Sequence, residues 1–306
     1  MTNLNNSIPV VFFHEGNNEY LKYAILSAEK YNDNVILLGD SSNKDFSKNW
    51  YNTEEFDMKE YNEFEKLYKH MSSNTKKFEI TAFKKYYMLK QYLEKSGYDK
   101  CMLLDSDIVS FCNYSELEFT KKYKASVSTQ KNQENYIWTS SGHSSFFTKE
   151  YLDDFIKFCE YTYKNNIRQL EDKYKYHLEN NIKGGICDMT LLYLWALNKP
   201  LIYNGAVNDN GNVFDHNINT SENYLKNEYK MSKFLRIKKI KLINGIPYFI
   251  NKDGEKVRTY TLHCQGSAKM LIKDYCTQKF SLIFIHRYEI LVKKFLNRYL
   301  NIKFKW

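Results

Sequence analysis

The chain has 306 residues and a formal net charge of +9, with 27 tyrosines, 20 phenylalanines and six cysteines. This length allows one large α/β domain, or one domain with an appendage, around a sizeable core. The widely spaced cysteines form no C-x-x-C pair, which disfavours a zinc site and a disulfide framework and fits a reducing compartment. Because no apolar signal core and no run of 18 apolar residues occurs, we expect a cytoplasmic protein, either soluble or peripheral on the inner face of a membrane.

The first elements alternate between apolar runs and a helical pattern. Ile8–Phe13 predicts a buried strand whose end opens into a loop. Asn18 can cap a helix that ends near Tyr31, and Val35–Leu38 predicts a second strand. A strand, a helix and a strand in succession favour a parallel sheet with crossover helices, and such sheets bind ligands at the carboxyl ends of their strands.

A firmer helix is predicted at Ile80–Lys95, with a stop at Ser96-Gly97, after an irregular stretch over residues 41–70. The helix leads directly into the next strand. Further along the chain, the pattern predicts strands at Ala125–Thr129 and Ser144–Phe147, helices at Lys149 to about Tyr163 and at Asp188–Asn198, and a polar stretch that runs to Lys183. A β-hairpin or meander is predicted between Ile237 and His263, because Asn-Gly and Asp-Gly turn signals separate the apolar runs there.

Two carboxylates one residue apart, Asp105 and Asp107, interrupt the apolar run Cys101–Val109. We interpret this run as a buried strand that ends in charge, with both aspartates on one face because side chains alternate along a strand. Buried carboxylates need a positive partner, and hard oxygen ligands suit Mg²⁺ or Mn²⁺ carrying a diphosphate. An exposed Asp-Ser turn is the alternative, and so apolar a run disfavours it.

A second candidate motif occupies Thr261–Lys269. His263 leaves a predicted strand, Gly266 would let the backbone approach a ligand, and Lys269 follows three residues later. Together they form a candidate phosphate and metal corner, with His263 as a third protein ligand and Lys269 neutralising a departing diphosphate. Alone, His263 would be assigned to the core or the surface, and its pairing with the Asp-Ser-Asp run favours a ligand.

A strand that ends in Leu-Leu-Asp-Ser-Asp, followed late in the chain by His-x-x-Gly-x-x-Lys, resembles the metal-dependent GT-A glycosyltransferases, especially glycosyltransferase family 8. The resemblance spans roughly residues 8–270. It implies an α/β, Rossmann-like, mixed and mostly parallel sheet flanked by helices. It also implies Mn²⁺ or Mg²⁺ held by Asp105, Asp107 and His263, with Asp107 the direct ligand and Asp105 shared between the metal and the ribose.

The resemblance implies further site residues. Those expected to bind the donor are Phe12, Phe13, His14, Lys84, Lys85, Asp105, Ser106, Gly266 and Lys269. In the helix before Asp105, Lys84 or Lys85 stands where the family more usually has an arginine near the donor phosphates. A lysine there lacks the two parallel hydrogen bonds that an arginine can donate to a phosphate. Thr139–Ser144 lies where the family has an Asn-Ser-Gly-like turn, but the Asn is absent and His143 is unexpected. Gly184–Asp188 resembles the family's acidic segment with one acid left, so Asp188 is the candidate catalytic residue near the anomeric carbon; a helix N-cap is its compatible alternative role.

The implied function is that of a hexosyltransferase in polysaccharide biosynthesis, which moves a sugar from a UDP-sugar to a glycan or lipid-linked glycan, with retention implied by the resemblance only. One alternative is a sugar nucleotidyltransferase, which the single glycine in His14–Asn18 disfavours because those enzymes carry a Gly-rich phosphate loop. Another is a non-catalytic scaffold that binds glycan or membrane. The sequence does not select the donor sugar, the acceptor, the linkage or the oligomeric state.

The simplest organisation is a catalytic domain, residues 1–276, and a basic C-terminal tail, residues 277–306. The tail has seven Lys or Arg and one acid. Apolar residues repeat every three or four positions between Phe284 and Ile302, which predicts an amphipathic cationic helix. The pattern fits equally well a helix that rests on an anionic bilayer, where each basic residue adds about 1 kcal/mol, and one that packs on the catalytic domain. No nucleic-acid-binding module accompanies the charge.

Overall fold

The computed structural model describes residues 7–131, 133–134, 136–197 and 199–279, and the isolated positions 285, 288, 289, 292, 293 and 296. The predicted C-terminal tail lies outside the described residues apart from residues 277–279 and those positions, so its helical character stays a prediction. Contacts within the chain divide it into two compact units. Unit 1 takes the chain up to Gly16, Asn34–Asp105 and Tyr114–Gly205; unit 2 takes Asn17–Asp33, Ser106–Asn113 and the chain from Ala206 onward.

Unit 1 is built on a mixed sheet. Its strands, numbered along the whole chain, are β1 (Val10–His14), β2 (Val35–Gly39), β3 (Trp50–Asn52), β4 (Lys100–Leu104), β6 (Ala125–Thr129), β7 (Ser140–Ser141), β8 (Ser144–Thr148) and β9 (Ile202–Asn204). Their order is β3-β2-β1-β4-β8-β6-β7, and β9 pairs with β6. The pairs β1–β2, β1–β4, β2–β3 and β6–β9 are parallel, and the others are antiparallel. The predicted mixed, mostly parallel sheet is confirmed.

Helices flank this sheet. They are α2 (Lys59–Leu67), α3 (Lys76–Ser96), α4 (Phe119–Lys122), α5 (Lys149–Asn165), α6 (Ile167–Glu179) and α7 (Asp188–Ala196). Helix α3 packs on β1, α5 on β8 and α7 on β6. Large aromatic side chains such as Phe83, Phe147 and Trp195 are buried between them. This architecture is consistent with the GT-A, Rossmann-like fold that the resemblance implies.

Helix α3 begins four residues before its predicted start. The side chain of Thr75 caps it by accepting a hydrogen bond from the backbone N–H of Phe78. Its predicted end is confirmed, since Gly97 adopts the left-handed conformation with φ of 76° after the last helical residue. The position of this helix matters because it carries Lys84, Lys85 and Tyr86.

Helix α6 lies within the stretch that the sequence predicts to be merely polar. Ile167, Leu170 and Tyr174 form an apolar stripe at helical spacing that packs on the core, but Lys173 and His177 are also buried on this helix and the surrounding sequence is polar. The ammonium of Lys173 donates to the carbonyl oxygens of Tyr136 (2.9 Å) and Ile137 (2.6 Å). The helix therefore binds the turn that precedes β7 through a buried cation.

Lys173 predicts a pH-dependent contribution to stability. Its side chain is fully buried, and burial lowers its pKa to about 8. Between that pH and the pKa of about 10.4 expected in the unfolded chain, the unfolded state holds a proton that the native state lacks. Stability relative to Lys173→Met should therefore rise by up to about 3 kcal/mol over this range. Urea unfolding of both proteins across this pH range measures the difference, and parallel curves would contradict the assignment.

Unit 2 carries a second sheet. Its elements are α1 (Glu19–Glu29), β5 (Ile108–Ser110), β10 (Asn212–Phe214), β11 (Ile240–Ile243), β12 (Ile246–Ile250), β13 (Lys256–His263) and α8 (Ile272–Thr277). The strand order is β10-β13-β12-β11, and β5 pairs antiparallel with β13. The predicted meander is confirmed, with Asn244 and Gly245 both at positive φ in the tight turn between β11 and β12. Helix α1 packs on α8 and β5.

The predicted buried strand that ends in charge is confirmed as far as Leu104, but its continuation to Val109 is wrong. Strand β4 ends at Leu104, the following residues form a turn, and β5 begins at Ile108 in the other sheet. The alternation of a strand therefore does not pass through the two aspartates, and the prediction that they share one face of a strand end is also wrong. The turn that the sequence disfavoured is present, but Asp107 within it is only 7% exposed. Among the described residues, no helix is long and apolar enough to cross a membrane.

Candidate active site

Strand pairing in unit 2 brings Asp107 beside His263. Strands β5 and β13 run antiparallel with Ile108 opposite His263. The backbone N–H of Cys264 donates to the carbonyl oxygen of Asp107 at 2.9 Å, which extends the register by one residue on each strand. Asp107 directly precedes β5, and His263 is the last residue of β13. Their side chains therefore meet at one edge of the sheet.

Three side chains form what we call the corner of unit 2: Asp107, His263 and Lys269. The imidazole Nε2 of His263 lies 3.5 Å from Oδ1 of Asp107, and the ammonium of Lys269 lies 3.4 Å from Oδ2. Gly266, with φ of 59°, opens the 3₁₀ turn Gly266–Leu271 that carries Lys269 towards the carboxylate. The structure thus brings together three of the residues that the sequence predicts to work together.

The electrostatics of the corner keep its carboxylate charged. Burial alone would raise the pKa of Asp107, but the hydrogen bonds and charges of His263 and Lys269 hold that pKa well below its usual value. Burial would likewise lower the pKa of both partners, yet Asp107 raises the pKa of His263 and that of Lys269 above their usual values. The corner is a buried carboxylate between two proton donors, and a metal ion would bind His263 there only in place of the proton on Nε2.

The orientation of His263 is fixed from its other side. Its Nδ1 lies 2.6 Å from the carbonyl oxygen of His216. A carbonyl oxygen can only accept, so Nδ1 carries the proton and Nε2 is the nitrogen that faces Asp107. The backbone N–H of His263 donates to Oδ2 of Asp215 at 2.9 Å. Sequence reasoning missed Asp215 and His216, because they follow a short strand without any motif around them.

The donor set of the corner suits a metal ion in part. Among the residues that the structure describes, no group of three or more His, Cys, Asp or Glu side chains could hold a metal. Asp107 and His263 converge as a pair, one hard oxygen and one imidazole nitrogen, and this combination fits Mn²⁺. The residues therefore fit a cation that takes its remaining ligands from a diphosphate or from water.

A cleft of about 380 Å³ lies next to the corner within unit 2. Tyr20, Tyr23 and Met270 contribute apolar surface, and Lys269 and Lys273 contribute charge. The two ammonium groups lie over the tyrosine rings, Lys269 at 4.8 Å from the centroid of Tyr20 and Lys273 at 5.1 Å from that of Tyr23. Two larger clefts in unit 1, of about 440 and 580 Å³, lie along α5 and are lined by no residue that the sequence predicts for the site.

A second cluster of predicted site residues lies in unit 1. The ammonium of Lys85 is 3.5 Å from Oδ1 of Asp105 and 3.1 Å from Oδ2 of Asp188, which also accepts a hydrogen bond from the hydroxyl of Tyr86 at 3.1 Å. Burial alone would lower the pKa of Lys85, but the two carboxylates outweigh it and the pKa lies well above its usual value. The positive partner that Asp105 needs is thus a lysine, and its predicted part in a metal site stays a prediction.

Asp188 is the first residue of α7. The N-cap is Cys187, in an extended conformation, so the alternative role predicted for Asp188 is displaced by one residue. A carboxylate in the first turn still complements the positive end of the helix dipole. The loop before the helix is held by hydrogen bonds from the backbone N–H of Ile186 to the carbonyl oxygen of Met71 (2.7 Å) and from Ser73 to Gly184 (2.9 Å).

Gly185 is the residue that allows this loop. Its φ is 144°, and a Cβ there would lie 2.3 Å from the carbonyl oxygen of Met71. Gly185→Ala should therefore lower the free energy of unfolding by about 3 kcal/mol, at the upper end of the cost of one strained residue. Gly184→Ala is the matched control, because Gly184 also has positive φ (94°) but open space around it. Urea unfolding of both variants tests the difference, and equal losses would contradict the steric argument.

The remaining predicted residues are dispersed. Phe12 is fully buried in the core of unit 1, whereas Phe13 and His14 are half-buried. Lys84 pairs with Glu15 at 2.5 Å. His143 is buried, with Nδ1 2.5 Å from the hydroxyl of Ser141, and its carbonyl oxygen accepts the backbone N–H of Asp105 at 2.8 Å. Ser106 lies half-buried in the turn between β4 and β5, in the segment that belongs to unit 2.

No protein-family model and no curated protein matches the chain. Among solved structures, mouse xyloside xylosyltransferase 1 in its apo form gives a TM-score of 0.47 at 12% identity, over 65% of this chain and 84% of that one. The glycosyltransferase GlyE of Streptococcus pneumoniae TIGR4 gives 0.38 at 12% identity, over 94% and 64%. A cytidylyltransferase of Leptospira borgpetersenii gives 0.32 at 7% identity, over 55% and 72%. At these TM-scores and identities, the likenesses assign neither a reaction nor a substrate to this chain.

Proposed function

We propose that this chain is a metal-dependent glycosyltransferase that transfers a sugar from a nucleotide-sugar, UDP-linked, to a glycan or lipid-linked glycan. The corner of unit 2 carries the proposal. In this corner, the imidazole of His263 and the ammonium group of Lys269 both lie within 3.5 Å of the carboxylate of Asp107. Release of a nucleoside diphosphate requires stabilisation of developing negative charge, and such a constellation supplies it.

Each residue of the corner has its own part in this proposal. Asp107 and the Nε2 of His263 would hold Mn²⁺ or Mg²⁺, which when bound supplies charge stabilisation to the leaving diphosphate. Lys269 now lies against Asp107 and remains one-third exposed. Its ammonium can therefore reach towards a phosphate oxygen without losing a fully buried contact.

The neighbouring cleft supports a nucleotide as the donor. A volume of about 380 Å³ lies within the usual range of small-molecule sites. The apolar surface of Tyr20, Tyr23 and Met270 suits a base, and Lys269 and Lys273 suit a diphosphate. Retention of configuration, the place of Asp188 near the reacting sugar and contact with a membrane rest on the resemblance or on the tail, and they stay predictions.

Turnover with a panel of UDP-sugars and Mn²⁺ tests the proposal, with an excess of chelator as the control. We expect UDP release that requires the metal, and calorimetry should show Mn²⁺-dependent binding of UDP. Turnover that survives chelation would remove the metal assignment. Formation of a nucleotide-sugar and pyrophosphate from UTP and a sugar 1-phosphate would instead favour the nucleotidyltransferase alternative, and the absence of any nucleotide binding would favour a scaffold.

A further inference from the structure

Unit 2 contains a completely buried ion pair that the proposed reaction does not use. The ammonium of Lys238 lies 2.6 Å from Oδ1 of Asp215, and both side chains have zero exposed surface. Lys238 also donates to the carbonyl oxygen of Asn217 at 2.7 Å and lies 5.1 Å from the ring centroid of Phe249. The cation is therefore enclosed by one carboxylate, one carbonyl oxygen, the side-chain oxygen of Asn223 at 3.5 Å and aromatic surface.

A buried ion pair of this kind contributes little to the stability of a fold. Removal of both charges from water costs about as much as their attraction returns, so an apolar pair of similar volume often serves the fold equally well. Burial lowers the pKa of Lys238 even though Asp215 opposes the shift, which shows how strongly the site disfavours an isolated charge. The presence of the pair calls for a role beyond filling the core.

The second oxygen of Asp215 indicates that role. While Oδ1 is held by Lys238, Oδ2 accepts the backbone N–H of His263 at 2.9 Å. The next residue, His216, uses its carbonyl oxygen to accept the Nδ1 proton of the same imidazole at 2.6 Å. Two consecutive residues thus hold His263 at its backbone and at its ring, and the remaining ring nitrogen lies 3.5 Å from Asp107.

We propose that Asp215 and Lys238 are positioning residues for His263. Lys238 fixes the carboxylate of Asp215, the carboxylate anchors the backbone of His263, and the adjoining carbonyl of His216 sets the tautomer that presents Nε2 towards Asp107. This arrangement extends the usual pattern in which partners in a second layer orient a metal-binding histidine. The proposal rests on the function proposed above for its metal, but the geometry that it predicts at His263 can be tested without one.

The tautomer of His263 is the first test, and it needs no variant of the positioning pair. Selective ¹⁵N-histidine labelling labels the seven histidines, and His263→Gln identifies the signal that belongs to His263. At a pH that leaves the ring neutral, we expect the proton on Nδ1. A proton on Nε2 would overturn the proposal whatever the protein catalyses.

Two charge-neutral double variants separate positioning from stability. Asp215→Asn with Lys238→Met keeps an oxygen that can accept the backbone N–H of His263, whereas Asp215→Leu with Lys238→Met removes it. We expect the affinity for Mn²⁺ in the presence of UDP, measured by calorimetry, to fall roughly 10- to 100-fold in the double variant that contains Asp215→Leu. In the double variant that contains Asp215→Asn, this affinity should stay within a few-fold of wild type. The Nδ1 tautomer should be retained only in the latter.

Val257→Ala is the control for general loosening of the same strand, because Val257 is a buried core residue of β13 six positions before His263. It should lower stability and leave both readouts unchanged. Equal affinity and equal tautomer populations in the two double variants would overturn the proposal. If wild type binds no Mn²⁺ with UDP, the proposed function fails, and the tautomer comparison between the two pairs still decides whether Asp215 positions His263.

Discussion

Replacement of Asp107 by asparagine is expected to lower metal-dependent transfer from a UDP-sugar by at least about 100-fold. The carboxylate of Asp107 is the group that His263 and Lys269 share, and it is held in its charged form between them. Asparagine keeps the size but supplies one neutral oxygen, so a cation loses its charged ligand. The measurement is kcat/KM with Mn²⁺ in excess, accompanied by calorimetric titration of UDP with and without the metal.

The controls distinguish the loss of a ligand from the loss of the fold. Asp253→Asn removes a carboxylate from an exposed turn of the same unit and should leave turnover unchanged. Lys269→Met keeps both proposed metal ligands, so it should weaken transfer without removing the dependence on Mn²⁺. If Asp107→Asn keeps wild-type turnover and the same metal dependence, Asp107 is not the ligand that we propose.

Elements with a clear apolar pattern could be predicted from the sequence. The strands β1 and β2 are short and entirely or largely apolar, and α3 ends at a glycine with positive φ. Helix α6 was missed although Ile167, Leu170 and Tyr174 repeat at helical spacing, because the segment is otherwise polar and part of its buried surface is Lys173 and His177. The fold could thus be predicted from the sequence where the core is apolar, and it could not where polar side chains are buried and bonded to the backbone.

The sequence likewise predicted some residues of the candidate site and missed others. The sequence grouped Asp107, His263 and Lys269 by their chemistry and by the resemblance to a family; strand pairing between β5 and β13 is the physical reason that Asp107 and His263 meet. Asp215 and Lys238 gave no signal, because each stands alone in its segment and only the tertiary structure makes them a pair. Periodic sequence patterns cannot predict an ion pair between two residues that lie far apart in the sequence.

The charges around the two aspartates change the argument for a metal. Burial of Asp105 and Asp107 called for positive partners, and lysines supply them within each unit: Lys85 for the first and Lys269 for the second. Burial alone therefore does not require a cation. The metal proposal rests instead on the joint presentation of a carboxylate oxygen of Asp107 and the Nε2 of His263 at one place.

Removal of one charge from the buried pair of unit 2 should be far more damaging than removal of both. Lys238→Met leaves the carboxylate of Asp215 without exposure and without its cation, and we expect the free energy of unfolding to fall by about 3–5 kcal/mol. Urea unfolding at neutral pH measures it. Lys121→Met is the matched surface control: its partner Glu118 and Lys121 itself are both well exposed, so the loss should be far smaller.

The double variant Asp215→Leu with Lys238→Met should recover part of the stability lost in the single variant, because no uncompensated charge remains, while the backbone N–H groups of Asn217 and His263 lose their acceptor. A stable double variant that nevertheless binds Mn²⁺ weakly would show that the two charges serve the orientation of His263 rather than the fold. If Lys238→Met and the double variant are equally unstable, the energetic description of the pair is wrong, and the volume and shape of the two side chains, not their charges, hold this part of unit 2 together.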